Sequence, residues 1–320
     1  MNKIKVMTIV GTRPEIIKLS EVFKELDRHV DHTIVHTGQN YDYELNEIFF
    51  EDLNIRKPDI FLEAVKGTPS ETIGDIIAKA DKVLGELSPD ALLLYGDTNS
   101  CLTVIPAKKR KIPIFHMEAG NRCFDQQVPE EINRKILDHI SDINLTYSSI
   151  SREYLIKENI PGDRVIKIGS PLMEVFNRYK DKILISKILS KLKLKKNNFI
   201  LASFHRSENI DNVNNIEKIL NILEMVSLKY KKEIIVSTHP RTKKRLSIKF
   251  KNKNNKNIKF LKPFNYTDYM CLQINSFFVM SDSGSITEEA SICDFNAINL
   301  RKNHERPEGI EEGGVIMSNL

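Results

Sequence analysis

The run I-P-I-F-H-M (residues 112–117) leads into E-A-G-N-R-C-F-D-Q-Q-V-P-E-E-I-N-R (residues 118–134), and the pair decides the fold. Ile112–Met117 is a short, nearly unbroken apolar run of the kind that forms a strand buried on both faces of a parallel sheet. Pro129 suits the first position of a helix, where no backbone donor is needed. Between strand and helix the sequence predicts a loop around Gly120, with four carboxylates, Glu118, Asp125, Glu130 and Glu131. Open α/β folds bind ligands at the carboxyl ends of their strands. The chemistry is therefore expected here.

Outward from this segment the same alternation continues in both directions. Strands are expected at Lys3–Val10, His32–Thr37, Ala91–Tyr95, Ile143–Thr146 and Val165–Ile168. Helices are expected between them at Glu15–Leu26, Pro69–Leu87, Ser100–Lys109, Pro129–Ile140 and Ser149–Glu158. Gly169-Ser170-Pro171 breaks the rhythm, and a Lys-rich helical stretch follows to Leu194. A second set then begins, with strands at Phe199–Phe204, Glu233–Thr238, Ile258–Leu261, Phe277–Met280 and Ala297–Leu300. Its helices are expected at Val213–Lys229, Arg241–Phe250, Tyr266–Ile274 and Ile286–Ile292. Strands alternating with helices predict parallel sheets. The expectation is α/β, with two Rossmann-like, doubly wound domains at 1–172 and 173–320, and a ligand cleft between them. No internal sequence period marks a repeat array.

The 320 residues are 41% hydrophobic and 28% charged, as in an ordinary globular protein, with room for two domains. The net charge of +5 is mild, and the excess lies in a Lys/Asn-rich stretch from Lys180 to Lys262. Without a motif or interleaved aromatics it reads as a solvated surface rather than a nucleic-acid site. The four cysteines, Cys101, Cys123, Cys271 and Cys293, have no zinc or redox spacing. Reduced thiols and a cytoplasmic location are expected. The N-terminal apolar run leads straight into Gly11 and reads as a first strand, not a signal peptide. No run approaches the ~18 apolar residues that span a bilayer.

Several strand ends carry candidate chemistry. Gly11-Thr12-Arg13-Pro14-Glu15 opens a helix whose free N–H groups attract an anion, with Arg13 and Lys18 adding charge. An ordinary strand-to-helix turn explains it equally well. Asp97, in Gly96-Asp97-Thr98, serves either as a helix cap or as an acid or base. Glu118, at the neighbouring strand, would crowd it and raise a carboxyl pKa toward neutrality. Glu131 is a third candidate, although a helix first turn favours a carboxylate anyway. His205-Arg206 and His239 each follow a strand. No second His or Cys stands near either, so no metal is inferred. Ser281-Asp282-Ser283-Gly284-Ser285 lets a backbone approach a diphosphate, and Glu289 one turn later suits two ribose hydroxyls.

Together the motifs resemble the non-hydrolysing UDP-N-acetylglucosamine 2-epimerases. The matching pieces are G-T-R-P-E-x-I-K at 11–18, G-D-T at 96–98, E-A-G at 118–120 and P-E-E-x-N-R at 129–134. H-R-x-E-N at 205–209, S-D-S-G-x-x-x-E-E-A at 281–290 and E-R-P-E at 305–308 complete them. They lie in family order over nearly the whole chain. The loop E-A-G-N-R-C-F-D resembles a subgroup converting UDP-N-acetyl-L-pneumosamine to UDP-N-acetyl-L-fucosamine.

The resemblance implies the GT-B type of two-domain fold and a UDP-N-acetylhexosamine substrate. It implies inversion at sugar C2 by elimination and re-addition of UDP, without cofactor or metal, for cell-surface polysaccharide precursors. The implied catalytic residues are Asp97, Glu118, Glu131 and His205. The implied UDP and substrate contacts are Arg13, Lys18, Arg206, His239, Ser283, Gly284, Ser285, Glu289 and Arg306. A homodimer is expected, with no nucleic-acid or membrane partner. Two departures stand out. Ser285 replaces the second glycine of the family's Ser-Gly-Gly, keeping a small residue. Family members also continue for about 50 residues beyond Leu320, one strand and two helices at ordinary lengths. A truncated C-terminal domain is therefore expected, with apolar surface left open. A hydrolysing epimerase, a GT-B glycosyltransferase and an inactive nucleotide-sugar-binding fragment stay open as alternatives.

Overall fold

A computed structural model describes residues 3–38, 47–64, 66–210, 212–238, 257–301, 305–306, 309 and 314–318. The chain forms two compact units, Met1–Asn177 and Arg178–Leu320.

The first unit runs β1 (Lys5–Val10), α1 (Arg13–His29), β2 (Asp31–His36), α2 (Glu47–Asp52) and β3 (Ile60–Phe61). It continues with α3 (Pro69–Leu87), β4 (Ala91–Tyr95), a 3₁₀ turn (Asn99–Thr103), α4 (Val104–Lys109) and β5 (Ile114–Ala119). It closes with α5 (Pro129–Ile140), β6 (Ile143–Thr146), α6 (Ser149–Lys157), β7 (Val165–Lys167) and the start of α7 (Leu172–Leu184). Seven parallel strands lie in the order β3-β2-β1-β4-β5-β6-β7. Met7, Ile9, Leu92, Leu94 and Ile114 of the central strands pack against Ile76, Ala80 and Leu84 of α3. The α3 start is fixed by a reciprocal pair: Glu71 N donates to Thr68 Oγ1 and Thr68 N donates to Glu71 Oε2.

The second unit contains α8 (Ile188–Leu192), β8 (Phe199–Phe204), α9 (Ser207–Ile210), α10 (Val213–Tyr230) and β9 (Glu233–Thr238). Then come β10 (Ile258–Leu261), α11 (Tyr266–Asn275), β11 (Val279–Ser281), α12 (Ile286–Cys293), β12 (Ala297–Leu300) and β13 (Ile316–Ser318). Its six strands are also parallel, in the order β10-β9-β8-β11-β12-β13. Ile200, Ala202, Ile234, Val236 and Met280 meet Ile219 and Leu223 of α10 in its core.

Both sheets therefore reverse strand order next to their first strand, between β1 and β4 and between β8 and β11. Such a reversal opens a crevice at the carboxyl ends. Two Rossmann-like units in one chain are the parts from which the GT-B class is made.

The structure departs from the sequence expectation in specific places. β5 starts two residues later than expected, after Pro113, which can donate no ladder bond. It then runs on through Glu118, so Glu118 is a strand residue rather than a loop residue. The strand register shifts between Met117 and Ala119. Glu130 and Glu131 lie in the first turn of α5, whose bounds are those expected, Pro129–Ile140. The expected helix at Ser100–Lys109 is a 3₁₀ turn followed by α4. Restarting the helix at Val104 puts Pro106 in a first turn, where its missing N–H costs nothing. The Lys-rich stretch to Leu194 is split into α7 and α8, and Lys193 ends α8 in a left-handed conformation. β11 begins at Val279 rather than Phe277; Phe277 instead packs its ring against Tyr230. The expected helix Arg241–Phe250 and His239 lie outside the described residues. All four cysteines are free thiols. No helix among the described residues is long and apolar enough to cross a membrane.

Candidate active site

At the carboxyl edge of the first sheet, the neighbouring strands β4 and β5 each carry a residue with positive φ at or near their ends. Gly96, after β4, has φ 67°, and Glu118, near the end of β5, has φ 69°. Glycine adopts this conformation freely, but a glutamate does so only under constraint. The constraint at Glu118 is the bulge in β5 together with the partners of its side chain. Glu118 Oε2 accepts from Lys18 Nζ at 3.0 Å, with both side chains buried. It also accepts from Tyr95 Oη, which in turn receives a bond from Tyr147 Oη at 3.0 Å. A Cβ added at Gly96 would sit 3.9 Å from Glu118 Oε1. The Glu118 carboxylate thus lies against the Gly96–Asp97 turn.

A second network holds Asp97 and Glu131. Arg134 Nε donates to Asp97 Oδ2 at 2.8 Å, while Arg134 Nη1 donates to Glu131 Oε2 at 2.6 Å. Asn133 Nδ2 donates to the Asp97 carbonyl at 2.9 Å. Thr98, not Asp97, stands at the N-cap of the 3₁₀ turn. Glu131 is fully buried and accepts the N–H groups of Cys123 and Phe124 at 3.0 and 3.2 Å. Burial raises its carboxyl pKa, but the Cys123 N–H and the Arg134 charge outweigh it and hold Glu131 below its ordinary value. The three carboxylates therefore stand at the carboxyl edge of one sheet, Glu118 against Lys18 and Tyr95, and Asp97 and Glu131 against Arg134.

Behind them lies a carboxyl of opposite character. Glu15, in the first turn of α1, is buried and accepts from Gly11 N, Thr12 N, Thr98 Oγ1 and Ser100 Oγ. Burial outweighs these four donors and lifts its pKa from 4.5 to about 7. The native chain then holds a proton that the unfolded chain releases above 4.5. This contribution to stability is complete below 4.5, shrinks as pH rises to about 7 and is gone above it. The span corresponds to about 3 kcal/mol. Urea unfolding across pH 4.5–8 is expected to show this decline in wild type and a flatter profile in Glu15→Gln. Parallel profiles would contradict the assignment.

In the second unit, Asp282 follows β11 and is buried. It accepts from His205 N at 3.0 Å, Arg206 N at 3.0 Å and Asn209 Nδ2 at 3.1 Å. His205 Nδ1 lies 3.2 Å from Asp282 Oδ1, within ion-pair range but without hydrogen-bond alignment. Burial opposes the charge on Asp282; the His205 charge and these donors overcome it and keep the carboxylate below its ordinary range. Asp282 therefore fixes the loop that presents His205 and Arg206.

The loop after β11 is held by its own hydroxyls, with Ser283 Oγ 2.9 Å from Ser285 Oγ. Ser285 Oγ donates to Glu289 Oε1 at 2.8 Å, and Gln273 Nε2 donates to Glu289 Oε2 at 2.7 Å. A Cβ on Gly284 would meet Glu305 Oε1 at 2.3 Å, so a larger residue there would have to displace the Glu305 carboxylate. Glu305 pairs with Arg301 at 2.9 Å and lies 3.8 Å from Arg206; Arg306 pairs with Glu288.

The sequence model of the family described as UDP-N-acetylglucosamine 2-epimerase matches residues 24–320. The chain belongs to this family. Among solved structures, UDP-N-acetylglucosamine 2-epimerase from Rickettsia bellii is 54% identical with a TM-score of 0.92, the match covering 99% of this chain and 84% of that one. UDP-GlcNAc 2-epimerase from Methanocaldococcus jannaschii, solved in complex with UDP-GlcNAc and UDP, is 36% identical with a TM-score of 0.93. That match covers 99% of this chain and 89% of that one. A relative from Pseudomonas aeruginosa, named UDP-2,3-diacetamido-2,3-dideoxy-D-glucuronate 2-epimerase, is 31% identical over 98% of this chain and 88% of its own.

In this member of the epimerase family, Asp97, Glu118, Glu131 and Lys18 come together in the first unit. His205, Arg206, Ser283, Gly284, Ser285, Glu289 and Arg306 share the loops at one edge of the second sheet. The Arg13 guanidinium lies 5.7 Å from the Phe49 ring centroid. Lys18, expected to add charge for phosphate, pairs with Glu118. Sequence reasoning passed over Arg134, Tyr95, Tyr147, Asp282 and Gln273. Arg134 stands three residues after Glu131, one helical turn, and that spacing was a usable signal. Gln273 reaches Glu289 from another helix, and no local pattern marks it.

Proposed function

We propose that this chain inverts C2 of UDP-N-acetylglucosamine without hydrolysing it. The observation that carries the reading is that three carboxylates stand at one sheet edge on different partners, Glu118 on Lys18 and Tyr95, and Asp97 and Glu131 on Arg134. Inversion needs a proton removed from one face of C2 and one delivered to the other, and a single carboxylate in one place serves one face. In the forward half, a carboxylate takes the C2 proton. The C–H electron pair forms the C1=C2 bond, and the C1–O bond breaks to release UDP, leaving a 2-acetamidoglycal. In the return half, C2 is protonated on the opposite face and a diphosphate oxygen of UDP re-forms the bond to C1.

Asp97, Glu118 and Glu131 carry the proton transfers in this reading. His205, Arg206, Ser283, Gly284, Ser285 and Arg306 hold the diphosphate, and Glu289 takes the ribose hydroxyls. The first unit supplies the acid–base groups and the second the nucleotide contacts. The product feeds cell-surface polysaccharide synthesis, and the enzyme works as a cytoplasmic homodimer. The E-A-G-N-R-C-F-D loop makes UDP-N-acetyl-L-pneumosamine the second substrate to try.

Proton NMR in heavy water tests the proposal. With UDP-N-acetylglucosamine, deuterium is expected at C2, together with the signals of the C2 epimer still linked to UDP. Free N-acetylmannosamine and UDP would instead mark a hydrolysing enzyme. Binding of UDP without exchange at C2 would mark an inert nucleotide-sugar-binding protein.

A further inference from the structure

No role is assigned above to His116 or Asp138, yet they lie beneath the Gly96–Asp97 turn and the β5 bulge at Glu118. His116 is in the middle of β5, paired in register with Leu94 of β4, and is completely buried. Its Nε2 lies 2.9 Å from the Gly96 carbonyl oxygen, and its Nδ1 lies 2.8 Å from Asp138 Oδ1. A carbonyl oxygen only accepts. Asp138 also acts as an acceptor here, taking a bond from Arg122 Nη1 at 2.7 Å and from Gly120 N at 3.3 Å to both oxygens. Burial would push the Asp138 carboxyl up, but His116 and Arg122 overcome it and hold the group below its ordinary range. An acceptor therefore faces each ring nitrogen of His116, an arrangement that asks both to donate.

The contacts continue outward from this point. Arg122 is shared between Asp138 and Glu158, at 2.7 Å to each, and His139 Nε2 stands 3.0 Å from Glu158. Asn144 Nδ2 donates to the Asp138 carbonyl at 2.9 Å. The cluster therefore replaces the solvation that burial removes.

We propose that His116 and Asp138 form a positioning pair that sets the backbone of both carboxylate-bearing turns. Through Nε2, His116 holds the Gly96 carbonyl and so the plane of the peptide that leads into Asp97. Through Gly120 N, Asp138 holds the backbone just past the Glu118 bulge. One buried hydrogen-bonded pair thus fixes two turns on neighbouring strands, and with them the spacing of the acid–base groups. Neither residue touches substrate. The inference rests on the epimerase reading for its kinetic consequence, but its geometric part stands apart from that reading.

The test has two arms. In the first, ¹⁵N NMR of histidine-labelled protein at neutral pH reads the two ring nitrogens, with His116→Gln assigning the signals. Both nitrogens of His116 are expected in the protonated range; one unprotonated nitrogen would overturn the pair whether or not the chain is an epimerase. In the second, C2 exchange and turnover are followed in His116→Gln and, should that variant not fold, in Asp138→Asn. Glutamine donates to one acceptor but not both. A misplacement of the reacting groups is expected to lower kcat about 10²-fold, with KM for UDP-N-acetylglucosamine and calorimetric UDP affinity within twofold of wild type. Unchanged kcat, or kcat and UDP affinity falling together, would overturn the positioning role. Absence of C2 exchange in wild type would instead count against the epimerase reading, leaving the NMR arm to decide the pair.

Discussion

Glu118→Gln is expected to lower turnover about 10³-fold, the scale of a lost general acid or base, while UDP affinity changes less than threefold. Glutamine keeps the volume of the side chain and can turn its carbonyl toward Lys18, which lies 3.0 Å from the native carboxylate. In the place of Oε2 that carbonyl accepts from Lys18 and from Tyr95 alike, as the native oxygen does, and the amide takes the place of Oε1. The bulge and the backbone therefore stay as they are, and what disappears is the group that can carry a proton. Calorimetry with UDP reads the other half of the prediction, because the proposed nucleotide contacts all belong to the second unit. Asp97→Asn breaks the second network instead, since Arg134 then faces one carboxylate rather than two. The informative comparison is C2 deuterium exchange measured separately from net epimerisation. A variant that keeps exchange but loses epimerisation has lost the group on one face only. Turnover of Glu118→Gln within fivefold of wild type would remove Glu118 from the chemistry.

The two parallel sheets were legible because each strand is a compact apolar run between turn signals. β4, Ala91–Tyr95, and β8, Phe199–Phe204, need no tertiary information to be recognised, and observed and expected bounds coincide. Short edge elements such as β3 and β13 were missed because two or three residues carry too little pattern. The bulge in β5 was missed for a different reason. Nothing in M-E-A-G says that Glu118 takes the left-handed conformation, because that is imposed by Lys18, Tyr95 and the neighbouring strand. The candidate carboxylates could be named from the strand ends, but their grouping could not. Arg134 reaches across 37 residues of chain to Asp97 and so joins it to Glu131, and the Gln273–Glu289 contact joins two helices. Such pairings are set by packing, and a single sequence does not record them.

Gly120→Ala is expected to destabilise the first unit by about 4 kcal/mol, at the upper end for a single substitution. Two costs combine at this position. The residue has φ 80°, where alanine pays about 1–2 kcal/mol relative to glycine. A methyl group would also stand 2.3 Å from the Ser151 carbonyl oxygen and 3.1 Å from Leu155 Cγ, both on α6. The oxygen belongs to helix backbone and cannot swing aside, so α6 or the turn after β5 must move. Either movement disturbs the Gly120 N–H bond to Asp138 and the segment that carries Glu118. Gly169→Ala separates the two costs. Its φ is 79°, yet nothing lies within 4 Å of the added methyl. It should show the backbone cost alone, about 1–2 kcal/mol. Urea unfolding of both variants reads the difference between them as the cost of the collision with α6. If Gly120→Ala and Gly169→Ala lose equal stability, α6 yields without penalty, and the turn beneath Glu118 is not rigidly held. If Gly120→Ala is the costlier variant and its surviving folded fraction also loses turnover, then the close approach of α6 to Gly120 helps keep Glu118 in its strained conformation.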